Sequence, residues 1–97
     1  MVRYLSLLKF TPQGLQKMEQ STERAHAFRL EAEAAGVTVE AAYWGVGAYD
    51  GVVILTAEDE HAALRQIARL ARGGNVQPES LRLYSAEEFD ELLNLTP

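Results

Sequence analysis

Ala42-Tyr43-Trp44-Gly45-Val46-Gly47-Ala48-Tyr49-Asp50-Gly51, followed at once by Val52-Val53-Ile54-Leu55, decides the fold. Three aromatics and three glycines crowd into the first ten of these residues. They stand where one extended run ends and the next begins. Glycine lets a backbone turn with positive φ or pass close to other atoms. Aromatics at such a place are core anchors or the wall of a pocket. The stretch therefore reads as two strands, Val37 to Val46 and Gly51 to Ala57, joined by a tight connection.

Outward from that hairpin the pattern changes period. On its N-terminal side Leu15, Met18, Ala25, Phe28, Ala32 and Ala35 recur at helical spacing. The polar patch Gln20-Ser21-Thr22-Glu23 interrupts them, so a short turn of helix, a kink or re-cap near Ser21 and then the main helix are expected. Gly36 is a natural closing residue. Before it, Val2 to Phe10 is β-rich and stops at Thr11-Pro12, where Thr11 can cap and Pro12 can open a helix. On the C-terminal side Thr56 to Asp59 offers capping oxygens. Ala62, Ala63, Ile67, Leu70 and Ala71 then mark a second helix, closed by Gly73-Gly74. Val76 to Tyr84 is a fourth strand, with Pro78 suiting an edge position. Ser85-x-x-Glu88 is a capping box, and Phe89, Leu92 and Leu93 form one face of a short last helix.

The element order is βαββαβ plus a small C-terminal helix. It predicts an α+β, ferredoxin-like fold: a four-stranded antiparallel sheet, order 4-1-3-2, with two helices on one face. Residues 1–97 are read as one domain. The central strands carry large apolar residues on both sides. Val52 and Ile54 oppose Val53 and Leu55, and Leu5 and Leu7 oppose Tyr4, Leu8 and Phe10. A strand apolar on both sides expects cover on both, and two helices cover one. The second face predicts a homodimer, or higher assembly, packed sheet to sheet. The monomeric alternative folds the C-terminal helix across that face.

Composition narrows the function classes. Net charge is −5, and seven of the nine basic residues are scattered arginines, which disfavours nucleic acid and anionic membrane surfaces as partners. No apolar run approaches the roughly 20 residues of a membrane helix. There is no cysteine, hence no thiolate site or disulfide. With no signal-peptide pattern at Met1-Val2-Arg3-Tyr4-Leu5-Ser6, a cytoplasmic location is expected.

No catalytic constellation stands out. Gly47-Ala48-Tyr49-Asp50 offers a hydroxyl and a carboxylate to a ligand. The plainer reading is a connection in which Asp50 caps its own backbone and Tyr49 is a packing anchor. The glycines at 45, 47 and 51 fail the dinucleotide pattern and lie between strands. His26 sits near the kink of the first helix, beside a cleft or simply solvated. His61 follows Glu58-Asp59-Glu60, acids that complement a helix N-terminus. The two histidines lie on different helices, so no metal site is expected, and no cofactor. Tyr43 and Trp44 are strand neighbours and point to opposite faces. Arg24 and Arg29 are candidates to hold an anion, or to pair with Glu23 or Glu33.

Taken together, Tyr4 to Thr11 with Gly14, then Arg24 and Phe28, Tyr43-Trp44, Gly47-Ala48-Tyr49-Asp50 and Gly74-Asn75-Val76 resemble the small GYD-domain family of bacteria and archaea. The likeness spans nearly the whole chain, with Gly51 standing where a β-branched residue is expected. It implies a ferredoxin-like fold related to dimeric α+β barrels and no established reaction. The expectation is a small soluble homodimeric domain binding a small molecule near Trp44, Tyr49, Asp50 and His26. The alternatives are a cofactor-free enzyme, monooxygenase- or isomerase-like, and a purely structural partner.

Overall fold

The computed structural model describes residues 1–94. Strand β1 (Val2–Phe10) leads through the short helix α1 (Pro12–Gln16) and one 3-10 turn (Met18–Gln20) into α2 (Ser21–Ala34). Strands β2 (Thr38–Trp44) and β3 (Gly51–Ala57) follow, then α3 (Glu60–Arg72), β4 (Val76–Leu83) and α4 (Ala86–Leu93). The expected break in the first helix is present at Lys17–Gln20, and β2 is shorter at both ends than its apolar run.

Local chemistry sets these ends. Thr11 caps α1 by accepting from the Gly14 N–H, with Pro12 in the first turn. Asp59 caps α3 by accepting from the Ala62 N–H at 2.9 Å. Ser85 and Glu88 form the reciprocal capping box of α4. Gly36 and Gly74 take φ near +80°, which closes α2 and α3.

The four strands form one open antiparallel sheet in the order β2-β3-β1-β4. Tyr4 faces Leu55, Ser6 faces Val53 and Leu5 faces Ile54 across the central pair. A bulge at Glu40 shifts β2 against β3. The extra residue pairs with Arg3 at 2.8 Å. Pro78 lies in β4, which pairs only with β1, so its missing N–H interrupts no second ladder.

Helix α3 lies over β1, β3 and β4, and α2 over β2. Between them and the sheet are Tyr4, Ala32, Val37, Val39, Val53, Leu55, Ala57 and Ala63, all buried. Buried Ser6 shares a 2.6 Å hydroxyl pair with Ser80 of β4. The opposite side carries Leu5, Leu7, Val52 and Ile54, with Leu81 and Tyr43 exposed beside them. Helix α4 does not fold across it. It makes only marginal contact with other elements, and Phe89 and Leu92 stay nearly half exposed. The radius of gyration is accordingly 14.7 Å, against about 12.5 Å for a compact chain of this length. Among the described residues no helix is long and apolar enough to cross a membrane.

Candidate functional site

The hairpin between β2 and β3 ends in a cleft of about 520 Å³ between the helix side of the sheet and α2. Its wall is mostly apolar: Leu8 and Phe10 from β1, Ala42 from β2, Val53 from β3, Phe28 from α2, Leu70 from α3 and Val76 from β4. Period-two alternation puts Ala42 and Trp44 of β2 on this side and Tyr43 on the other. Trp44 lies half exposed at the end of β2 and donates from Nε1 to the Ser21 Oγ at 2.8 Å. That bond ties the first residue of α2 to the last of β2. The N-cap position of α2 falls on Gln20, which makes no side-chain cap bond, so Ser21 serves the tryptophan instead of the expected re-cap.

Gly51 pairs with Trp44 and lines the same cleft. A Cβ there would sit 3.1 Å from the Tyr43 carbonyl oxygen and 3.9 Å from Leu8 Cδ1. The 3.1 Å approach is tighter than ordinary packing, so a β-branched residue here would press on the backbone of β2 at the edge of the cleft.

Asp50 also lines the cleft. Its Oδ2 accepts from the Phe10 N–H at 2.8 Å, its own N–H donates to the Leu8 carbonyl, and its carbonyl accepts from Gly45. The carboxylate thus pins the connection to the end of β1. The expectation that it would cap its own backbone is corrected: β1 stops hydrogen bonding to β3 at Gly51, which leaves the Phe10 N–H in need of an acceptor.

Tyr49 goes elsewhere. Its hydroxyl meets the Glu79 carboxylate at 3.2 Å, and Lys9 Nζ stands 5.4 Å from its ring centroid. Lys9 and Glu79 lie on the side of the sheet away from the helices. The negative charge of Glu79 pushes the Tyr49 phenol above its ordinary value. His26 borders the cleft but is itself exposed. The structure therefore brings Trp44, Asp50 and His26 to one cleft and Tyr49 to the opposite face. Gly47, at φ 145°, and Ala48 lie in the exposed connection between them.

The electrostatics of the cleft differ from those of the chain. Arg24, Arg29 and Arg69 border it against Glu31 and Asp50, in a protein of net charge −5. Arg69 and Glu31 form an exposed pair at 3.3 Å. Arg24 Nη1 donates to the Lys17 carbonyl at 2.7 Å, while its Nη2 is shut from solvent without an acceptor.

A second polar cluster lies at the far end of β1. Tyr4 donates to Glu60 Oε2 and Arg82 Nε to Glu60 Oε1, both at 2.7 Å. The Tyr4 and Arg82 bonds hold Glu60 below the ordinary carboxylate range, and the bond to Glu60 raises the Tyr4 phenol. Arg82 also stacks on Tyr84, 4.4 Å from its centroid. Among the described residues no group of three or more His, Asp or Glu is placed to hold a metal ion.

The residues that carry the family likeness meet in two places. Phe28, Trp44 and Asp50 line the cleft, as does Arg24. Thr11 and Gly14 pack against Gly74 and Asn75: the Thr11 N–H donates to the Asn75 carbonyl at 3.1 Å and its hydroxyl to that of Gly74. The contact joining α1 to the start of β4 was invisible in the spacing, and a glycine inside a capped helical turn was its one signal. No curated protein and no solved structure matches the chain. Residues 4–93 match the model of the GYD domain, and with that span, nearly all of its length, the chain belongs to the GYD-domain family.

Proposed function

We propose that this chain is a ligand-binding domain that pairs with a second copy through its uncovered sheet face and holds a small, largely apolar molecule against Trp44. The observation that carries the binding reading is the cleft itself. Its volume of about 520 Å³ falls in the range of small-molecule sites, which combine apolar walls with few polar groups. Trp44 and Phe28 give it aromatic walls.

Asp50 and His26 border the same space, as the cofactor-free enzyme alternative would use them. The geometry favours holding over turnover. Asp50 is engaged by the Phe10 N–H, and the exposed His26 has no hydrogen-bond partner among the described residues to orient it. The purely structural alternative has no use for the cleft.

Pairing is supported by the apolar residues on the helix-free side of β1 and β3 and by α4, which leaves Phe89 and Leu92 uncovered. Patches on the order of several hundred Å² on a small protein mark interfaces. A two-fold contact would let each copy cover the other's sheet and helix with the same surface.

Two measurements test the two halves. Sedimentation velocity is expected to give a dimer for the wild type and a monomer for Ile54→Lys; a monomeric wild type at tens of micromolar refutes the pairing. Thermal shift and quenching of Trp44, the one tryptophan of the chain, are expected with small apolar compounds. Gly51→Val should weaken them by adding side-chain bulk to the wall of the cleft. Silence across such a panel refutes the binding reading.

A further inference from the structure

We infer that the molecule held in the cleft is a small carboxylic acid with an aromatic or alkyl body, its carboxylate neutralised by Arg24. The inference rests on the cleft reading above and specifies its ligand class.

The argument starts from an uncompensated cation. The Arg24 guanidinium lies in the cleft wall, on the first turns of α2. One terminal nitrogen is spent on the Lys17 carbonyl. The other has no acceptor and no solvent. A buried donor without a partner is unfavourable, more so when charged. No carboxylate of the described residues forms an ion pair with Arg24, although the chain carries fourteen acidic residues. The two carboxylates bordering the cleft are engaged elsewhere: Asp50 with Phe10 and Glu31 with Arg69. A cation with no carboxylate partner among apolar walls, in an otherwise acidic protein, selects an anion that brings its own apolar body.

The shape of the anion follows. A guanidinium offers planar paired N–H groups that match a carboxylate. Nη2 is shut from solvent as it stands, so binding requires the guanidinium to turn about its Lys17 contact and present Nη2 to the ligand. Phe28, Trp44 and Val53 then flank the body of the ligand. A phosphate, with its higher charge, would lose more hydration against the same apolar walls than a carboxylate does, which disfavours it.

The test uses matched acids and amides on the full chain. Benzoate, phenylacetate, 3-phenylpropionate, hexanoate and octanoate are titrated at pH 7 beside their primary amides, with Trp44 fluorescence and calorimetry as readouts. At least one acid is expected to bind about tenfold or more tighter than its amide, the range for a hydrogen bond to a charged group. Arg24→Gln removes the positive charge while keeping a polar amide on the shortened side chain, and is expected to bring the acid down to the affinity of the amide. Should that variant unfold, the acid-to-amide ratio on the wild type still decides. Equal binding of acids and amides overturns the carboxylate inference and leaves the cleft reading standing. No binding by any of the ten compounds overturns both.

Discussion

Replacing Gly14 by alanine sets two physical arguments against each other. Gly14 lies inside α1, and helix propensity alone favours alanine there by roughly 1 kcal/mol. Packing says the reverse. A Cβ at position 14 would stand 1.9 Å from the Asn75 carbonyl oxygen and 2.9 Å from its carbon, both backbone atoms. Ordinary contact begins at 3.4 Å, so α1 and the start of β4 must separate by roughly 1.5 Å, the difference of the two distances. The Thr11 N–H to Asn75 bond, at 3.1 Å, and the Thr11 hydroxyl bond to Gly74 then fail together. Each is worth about 1 kcal/mol, and strain from overpacking adds roughly 1–3 kcal/mol. After the propensity gain, a net loss of about 2–4 kcal/mol is expected, a large part of the 5–15 kcal/mol typical of a domain. Urea unfolding followed by circular dichroism measures it, with a fall in Tm of roughly 10 °C or more. Gly45→Ala is the control, since its nearest neighbour would be the Tyr49 carbonyl at 3.6 Å, and it should change stability by less than about 1 kcal/mol. A Gly14→Ala protein as stable as the wild type would refute the reasoning.

Leu55→Ala should be destabilising by about 2–5 kcal/mol, because Leu55 is fully buried under the helices; the half-exposed Leu81, substituted likewise, should alter association more than unfolding. Acid unfolding should reflect three carboxylates held below their ordinary value of 4.5: Glu40 by the Arg3 bond, Glu60 by Tyr4 and Arg82, and Glu88 by the Ser85 N–H. Groups with a depressed folded value stabilise above 4.5 and lose that contribution as pH falls through the folded value. Glu60→Gln should therefore flatten the acid limb of a stability–pH curve, and an unchanged slope would contradict the cluster. At the alkaline end Tyr4 and Tyr49 are raised above 10. Their stabilising contribution is present below that value and is lost as pH rises through the folded one. Ultraviolet difference titration should show late-ionising phenols, one of which disappears in Tyr4→Phe.

Much of the fold was legible because its determinants are local. Thr11-Pro12, Ser85-x-x-Glu88 and the glycines after α2 and α3 name helix ends through bonds spanning three or four residues. The break near Ser21 was legible for the same reason, although the role of Ser21 was not: its partner Trp44 lies 23 positions away. Tyr49 and Asp50 show the limit within the candidate site. They are adjacent in sequence, yet one joins Lys9 and Glu79 and the other Phe10, because the chain leaves the ladder between them. Outside a regular strand, alternation no longer says which side a residue takes.

The sequence by itself determined the order of elements, the order of strands and the apolar character of both sides of β1 and β3, since periodicity and chain connectivity are properties of neighbouring residues. Only the tertiary structure decided that α4 leaves the second side open, that Gly14 meets the Asn75 backbone, and that one nitrogen of the Arg24 guanidinium is closed off without an acceptor in the wall of the cleft that Trp44 also lines. Those facts depend on distances between segments tens of residues apart, which are fixed when the sheet and helices pack.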